Sequence, residues 1–376
     1  MNVSNRMRSG VSPRITREEG LQLLKQADLL GLGMMADDMR KALHPGGRVS
    51  FIIDRNINYT NVCINQCRFC AFYRNPGDRD AYVLSKRTLF KKIRETLDCG
   101  GTQILMQGGL NPDLDLAYYV DLLRSIKKRF PIHIHSFSPP EITYIADRAG
   151  HTIKKTLEIL RDAGLDSIPG GGAEILSDRV RERVSPKKIK SRQWLRVMEE
   201  AHKIGMKTTA TMMFGSVEGP EDIIAHLDAV RKLQDRTGGF TAFIPWSFQP
   251  GNTELIQRQG ARGKGQKAFH PATGVEYLRV LALSRIYLDN IPNIQASWVT
   301  QGLKMAQVAL RFGANDFGST MLEENVVAAA GVTYKVSVSD IVNAIKTAGY
   351  EPVQRDMYYT IIKTETKGQK GGGPWE

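Results

Sequence analysis

Three of the chain's four cysteines fall within eight residues, Cys63-Ile-Asn-Gln-Cys67-Arg-Phe-Cys70. Thiolates at that spacing can wrap one compact metal cluster. A [4Fe-4S] cluster usually takes four cysteine ligands, so a set of three leaves one iron open to an exogenous ligand. A structural zinc site, the alternative, is closed by four protein ligands. The remaining cysteine, Cys99, ends the first helical stretch after the cluster loop. A helix of ~12 residues rising ~1.5 Å each would carry it on the order of 15 to 20 Å away, to the opposite end of the fold. Cys99 is therefore expected as a small buried hydrophobe, and zinc would need a distant histidine to complete its shell.

Other residues able to do chemistry sit where short β-branched runs end. Along residues 132–138, IHIHSFS, a two-residue period sets Ile132 and Ile134 on one face and His133, His135 and Phe137 on the other. With the isoleucines toward helices, the histidines face inward: His133 deep and satisfied, His135 nearer the top as a candidate base or substrate ligand. Trp246, Phe248 and Trp298 end later runs and could stack on an aromatic substrate as readily as pack. Glu323, Glu324 and Asn325 follow the last run. Glu324 is a candidate substrate contact, although acids there equally suit a helix N-terminus. Gly170-Gly171-Gly172-Ala173-Glu174 permits close backbone approach and adds a carboxylate suited to ribose or amine hydrogen bonds. Arg55 and Arg74 flank the cysteines and could hold an anion or simply pair with acids.

Strand candidates that could carry these groups occur at 51–62, 102–109, 132–138, 166–172, 207–215, 242–250, 294–300 and 316–320. Amphipathic helical stretches alternate with them, the signature of parallel βα units. Eight such units close most simply into a (β/α)8 TIM-type barrel, with its chemistry at the C-terminal strand ends. Gly100, Gly164 and Gly205 each close a helix just before a strand. Pro220 marks a first helical turn, and Thr16 to Glu19 and Thr273 to Glu276 have capping-box spacing. Residues 1–48 read as an N-terminal helical extension that could cover one end of the barrel, 49–362 as the barrel and 363–376 as a disordered tail. The polar Gly/Lys segment 256–274 is a flexible excursion or a substrate lid.

At 41% hydrophobic and 24% charged, the chain has a globular composition and is long enough to bury its core without disulfides. Clustered cysteines suit metal binding in a reducing compartment. The N-terminus lacks an apolar h-region and no apolar run reaches transmembrane length, so the expectation is a cytoplasmic protein with no membrane partner. The net charge of +13 raises the question of nucleic acid. The basic residues are scattered along helical stretches such as LFKKIRE and RSIKKRF, which reads as solvated outer faces. With no appended RNA-binding module, an anionic substrate is the other modest explanation and no nucleic-acid partner is expected.

CxxxCxxC with an aromatic, Phe69, before its last cysteine resembles the signature of the radical S-adenosylmethionine (SAM) superfamily. The resemblance implies a [4Fe-4S] cluster on Cys63, Cys67 and Cys70 whose open iron is chelated by SAM, and cleavage of SAM to a 5′-deoxyadenosyl radical. It also implies SAM contacts at the strand ends: the glycine-rich turn Gln107-Gly108-Gly109, Ser138, Glu174 and Lys187. Residues 56–74, 132–142, 238–255, 296–302 and 313–326 further resemble the cyclic dehypoxanthine futalosine synthase family of the futalosine route to menaquinone, over about residues 50 to 362. That family's reaction takes the C4′ hydrogen of dehypoxanthine futalosine, adds the sugar radical to the benzoate ring, and loses a proton and an electron. The partners so implied are a small anionic nucleoside-derived substrate and a one-electron donor such as flavodoxin or ferredoxin. Aminofutalosine synthases and deazaflavin synthases share barrel, cluster and SAM site and remain the nearest alternatives.

Overall fold

The computed structural model describes residues 14–260 and 271–364. Its strands are β1 (Arg48–Ile52), β2 (Asp54–Ile57), β3 (Gln103–Met106), β4 (His133–Ser136), β5 (Ser167–Ile168), β6 (Lys207–Phe214), β7 (Phe240–Ser247), β8 (Asn293–Ile294), β9 (Asp316–Ser319), β10 (Glu351–Arg355) and β11 (Ile361–Thr364). β2 to β8 form one parallel sheet in sequence order. β9 closes the ring: Asn315 N donates to Ile294 O at 3.1 Å and Ala296 N to Asp316 O at 2.9 Å, while Thr320 N reaches Ile52 O at 3.0 Å and Leu322 N reaches Asp54 O at 3.1 Å. The result is the expected TIM-type barrel, with one strand from each of the eight candidate runs.

The run expected as a single strand over 51–62 divides at Ile53. β1 belongs to a second sheet, ordered β11-β10-β1-β9, in which Arg48 to Phe51 pair with Glu351 to Gln354. The end of β10 and the turn after it bring Arg355, Met357 and Tyr359 to the N-terminal mouth of the barrel, where they line its interior. The chain's C-terminal part thus supplies a floor. The N-terminal helices Arg17–Gln26 and Leu29–Leu43 instead pack on the outer helices Pro220–Thr237 and Gly274–Tyr287.

Outer helices face the barrel with one apolar stripe, as in Ser191–Lys203, where Trp194, Val197, Met198 and Ala201 are all buried at helical spacing. Their starts follow the sequence signals. Thr16 Oγ1 accepts from Glu19 N at 3.2 Å while Glu19 returns a bond to Thr16 N at 2.9 Å, and Thr273 and Glu276 do the same. Gly100, Gly164 and Gly205 take positive φ, a region costly for other residues. Of segment 256–274, residues 261–270 lie outside the described residues, as do 365–376 of the expected tail; β11 runs to Thr364. No helix among the described residues is long and apolar enough to cross a membrane.

Candidate active site

The cysteine loop leaves the top of β2 and is pinned by backbone bonds from four directions. Cys63 N donates to Arg74 O at 3.0 Å, Ile64 N to Leu110 O at 3.1 Å, Arg68 N to Val184 O at 2.9 Å, and Leu255 N to Arg68 O at 2.8 Å. Arg74 pairs with Asp80 at 2.5 Å and donates to Tyr73 O at 2.9 Å. It therefore locks the loop, and Arg55 pairs with Glu95 at 2.6 Å; both take the ion-paired role rather than an anion site. Burial pushes the Cys67 thiol up to about 12, with Lys188 opposing and Glu174, Cys63 and Cys70 adding to the rise. Burial likewise raises Cys70. Buried thiols that resist ionising together suit a strongly cationic centre, which deprotonates its ligands outright. No three His, Cys, Asp or Glu side chains among the described residues, these thiols included, are gathered for one metal ion. The donor set fits a cluster in which each thiolate meets a different iron. Cys99 caps the helix Lys86–Asp98 at the far end of the barrel, as placed from sequence, but it is exposed and not a buried hydrophobe.

Around this loop the glycine turns leave no room for side chains. A Cβ on Gly109 would stand 2.1 Å from Val62 O, one on Gly108 2.5 Å from the Tyr59 ring, and one on Gly171 2.4 Å from Gln107 Nε2. Glu141, which the sequence reading passed over, ties the turns together. Its Oε1 accepts from Tyr59 OH at 2.7 Å and Gly108 N at 2.9 Å, and its Oε2 from Ser138 N at 2.7 Å and Ser138 Oγ at 2.6 Å. The Ser-x-x-Glu spacing was the legible signal, a capping box. Glu174 is buried between Lys188 at 2.9 Å and Arg181 at 3.4 Å. The Lys188 ammonium also sits 5.1 Å over the Phe69 ring. Lys187, by contrast, is exposed and bonded to Gln66 of the cysteine loop; its neighbour Lys188 is the cation that reaches inward, half-buried, to Glu174.

Below these turns a cavity of about 270 Å³ opens along the barrel axis. Alternate residues line it: Asp54 and Asn56 on β2, Gln103 and Leu105 on β3 with Gln107 just beyond its end, Thr209 and Thr211 on β6, Ile244 and Trp246 on β7, as a pleated strand requires. Trp298 and Glu324 close the upper wall. Trp298 Nε1 donates to Ser319 O at 2.8 Å. Glu324 accepts from Asn56 Nδ2 at 2.7 Å and, through its other oxygen, from Val326 N and Val327 N, so it both caps a short helix and faces the cavity. Phe248 does not line it. The strand ends at Ser247, Phe248 N turns to Phe214 O at 2.7 Å, and the ring is buried in the core.

Two lining residues present buried oxygens with no hydrogen-bond partner, Asn56 Oδ1 and Gln103 Oε1. The amide nitrogen of each is committed to a carboxylate, Asn56 to Glu324 and Gln103 to Asp54 at 2.6 Å, which fixes the free atom as an acceptor. On β4, His135 lines the cavity and is 4% exposed. Its Nδ1 lies 2.7 Å from Ser167 Oγ, which also lies 2.6 Å from His133 Nε2. Burial first, then His133 and Arg355, hold His135 well below the ordinary imidazole value. Phe137 leaves the expected alternation: with φ of 59° its ring turns away from the axis and packs edge-on to Tyr59 and Tyr119.

Residues 57–230 match the radical SAM superfamily and residues 237–367 the CofH/MqnC C-terminal region. A cyclic dehypoxanthine futalosine synthase of Halalkalibacterium halodurans is 48% identical over 93% of this chain and 92% of that protein. A 5-amino-6-(D-ribitylamino)uracil--L-tyrosine 4-hydroxyphenyl transferase of Methanopyrus kandleri is 44% identical over 85% of each chain. Among solved structures, the FeFe-hydrogenase maturase HydG from Carboxydothermus hydrogenoformans is similar with a TM-score of 0.74 at 17% identity, covering 95% of this chain and 80% of that one; that likeness speaks to the fold. The three-thiol loop at the top of a TIM-type barrel and the extent of these matches make this chain a member of the radical SAM superfamily, the enzymes that use a [4Fe-4S] cluster and SAM, in the group with a CofH/MqnC C-terminal region.

Proposed function

We propose that the cavity cyclises dehypoxanthine futalosine in menaquinone biosynthesis: hydrogen is removed from C4′, the sugar carbon joins the benzoate ring, and a proton and an electron are lost. The observation that carries this reading is the pairing of two unlike cavity walls. On β2 and β3, the unpartnered oxygens of Asn56 and Gln103 stand beside the carboxylates of Asp54 and Glu324. Such a wall accepts hydrogen bonds and suits the hydroxyl donors of a sugar. Half-buried Trp246 adds indole surface suited to an aromatic ring, with Trp298 packed into the wall behind it.

In this reading Cys63, Cys67 and Cys70 hold the cluster, while Phe69, Gln107, Gly108, Gly109, Ser138, Glu174 and Lys187 or its neighbour Lys188 frame SAM. Cluster and SAM, when bound, supply a primary carbon radical that abstracts hydrogen. The chain's own residues position the substrate and keep water out, because such a radical attacks whichever C–H lies nearest. His135, neutral at physiological pH through burial, accepts the proton. A flavodoxin- or ferredoxin-type donor and a cytoplasmic setting accompany the reading.

The test is anaerobic reconstitution with iron and sulfide, then SAM, reductant and dehypoxanthine futalosine, following 5′-deoxyadenosine and product mass together. The expected product is two hydrogens lighter than the substrate. The 44% identity to the Methanopyrus kandleri transferase motivates a second reading, in which a 4-hydroxyphenyl group passes from tyrosine to 5-amino-6-(D-ribitylamino)uracil. A product carrying that group, with dehypoxanthine futalosine untouched, would replace the first reading with the second.

A further inference from the structure

We infer that His135, Ser167 and His133 form a proton relay that carries the proton lost on cyclisation from the cavity to the barrel end opposite the cluster. The inference rests on the reading above and adds a route to it. Ser167 Oγ is within hydrogen-bond distance of both rings, 2.7 Å from His135 Nδ1 and 2.6 Å from His133 Nε2. A hydroxyl has one proton to give, so one ring donates to it and the other accepts. The order that leaves a base in the cavity has His135 Nδ1–H donating to Ser167 and Ser167 donating to His133 Nε2.

In that order His135 Nε2, on the cavity side, takes the substrate proton. The Nδ1 proton passes to Ser167, the Ser167 proton passes to His133 Nε2, and His133 releases its Nδ1 proton. One proton enters and one leaves, no heavy-atom bond changes, and the electron departs separately to a one-electron acceptor. The burial gradient runs the same way: His135 and Ser167 are buried, whereas His133, first residue of β4, is half-buried. The surrounding charges also favour outward transfer. Arg355 faces His135. His133 stands against Asp166, Asp356 and Lys127, the last paired with Asp166 at 2.5 Å, and against the edge of Tyr358 at 5.3 Å.

His133→Ala and Ser167→Ala are measured beside the wild type for 5′-deoxyadenosine release, cyclised product and dependence on added imidazole. Both variants should keep 5′-deoxyadenosine release while the cyclisation rate drops by roughly a hundredfold to ten-thousandfold, the scale of a lost acid–base group. Imidazole should restore His133→Ala, where it can replace the outer ring, and not Ser167→Ala, where the break lies inside. A His133→Ala enzyme that cyclises at the wild-type rate overturns the relay alone, as does a loss that imidazole leaves untouched, which would make His133 merely structural. A wild-type chain that releases 5′-deoxyadenosine but never cyclises the substrate removes the functional reading itself and the relay's role with it.

Discussion

The cluster end of the barrel and the cavity wall beneath it differ in how fully the chain satisfies its own polar groups. Above, Glu141 alone accepts four hydrogen bonds from three segments, and the cysteine loop is fastened by backbone bonds from four. Below, Asn56 Oδ1, Gln103 Oε1 and the buried Tyr359 hydroxyl meet no partner. Each such group costs roughly 1 to 3 kcal/mol if left dry, and several along one cavity make sense where a ligand completes them. A cofactor common to many reactions needs a finished cradle. The wall that chooses a substrate is left open to it.

The largest effect expected at the finished end is loss of any one cluster thiol. Cys63→Ala, Cys67→Ala or Cys70→Ala should abolish 5′-deoxyadenosine production, whereas the exposed Cys99→Ala should be silent; iron content, the visible spectrum and 5′-deoxyadenosine release check this together. Production surviving in Cys67→Ala would contradict the ligand set. Next comes Glu141→Ala, which strands Gly108 N, Tyr59 OH and the Ser138 donors. It should lower stability by about 4 kcal/mol or more, four hydrogen bonds to one carboxylate being lost at roughly 1 kcal/mol or more each, and weaken SAM binding at least tenfold. Denaturant melts and SAM titration read the two effects separately; a variant that melts normally and binds SAM normally would deny Glu141 its positioning role.

Much of the upper end was legible in the sequence because it depends on local spacing: CxxxCxxC, Gly-Gly turns and Ser138-Pro-Pro-Glu141 are all short-range patterns. The eight strands were legible for the same reason. What escaped was long-range. β10 contains Pro352 and has no alternating apolar pattern, so it declares itself only by pairing with β1, some three hundred residues earlier. Arg355 and Tyr359 reach the cavity floor through that pairing. Asn56 and Gln103 look like ordinary polar residues until neighbouring strands show their nitrogens committed and their oxygens free. Phe248 was misplaced because the run 242–250 was read as strand beyond Ser247, where β7 ends and the chain turns inward.

At the open wall, replacing an acceptor by an isostere should touch substrate and spare the cofactor. Asn56→Leu and Gln103→Leu should each raise KM for dehypoxanthine futalosine at least tenfold, since each removes the free acceptor and also the amide donor held by Glu324 or Asp54, while 5′-deoxyadenosine released without substrate stays unchanged. Should both variants lose SAM cleavage instead, the division between a cofactor end and a substrate wall would not stand.

The smallest effect expected is the response of the scaffold to acid. Burial holds His202 at about 4 and His226 at about 3, with Lys207 and Arg181 respectively adding to the depression. The His226 ring accepts from Leu176 N at 3.0 Å, a bond only the neutral ring can make. Both histidines therefore bind fewer protons folded than unfolded, so their contribution to stability is complete above the ordinary value near 6.5 and is lost as pH falls from there toward 4. Tm should fall by several degrees between pH 7.5 and 5.5, and a flat Tm over that interval would mean the rings are not held neutral. His135 sharpens the contrast with the cavity. Because it too is held well below the ordinary value, its ring stays neutral and able to accept a proton as this decline begins. The loss of Tm on acidification, to which His135 contributes by the same linkage, should therefore precede the loss of cyclisation, and the two curves, measured on one preparation, separate proton uptake by the unfolded chain from protonation of His135 in the folded one.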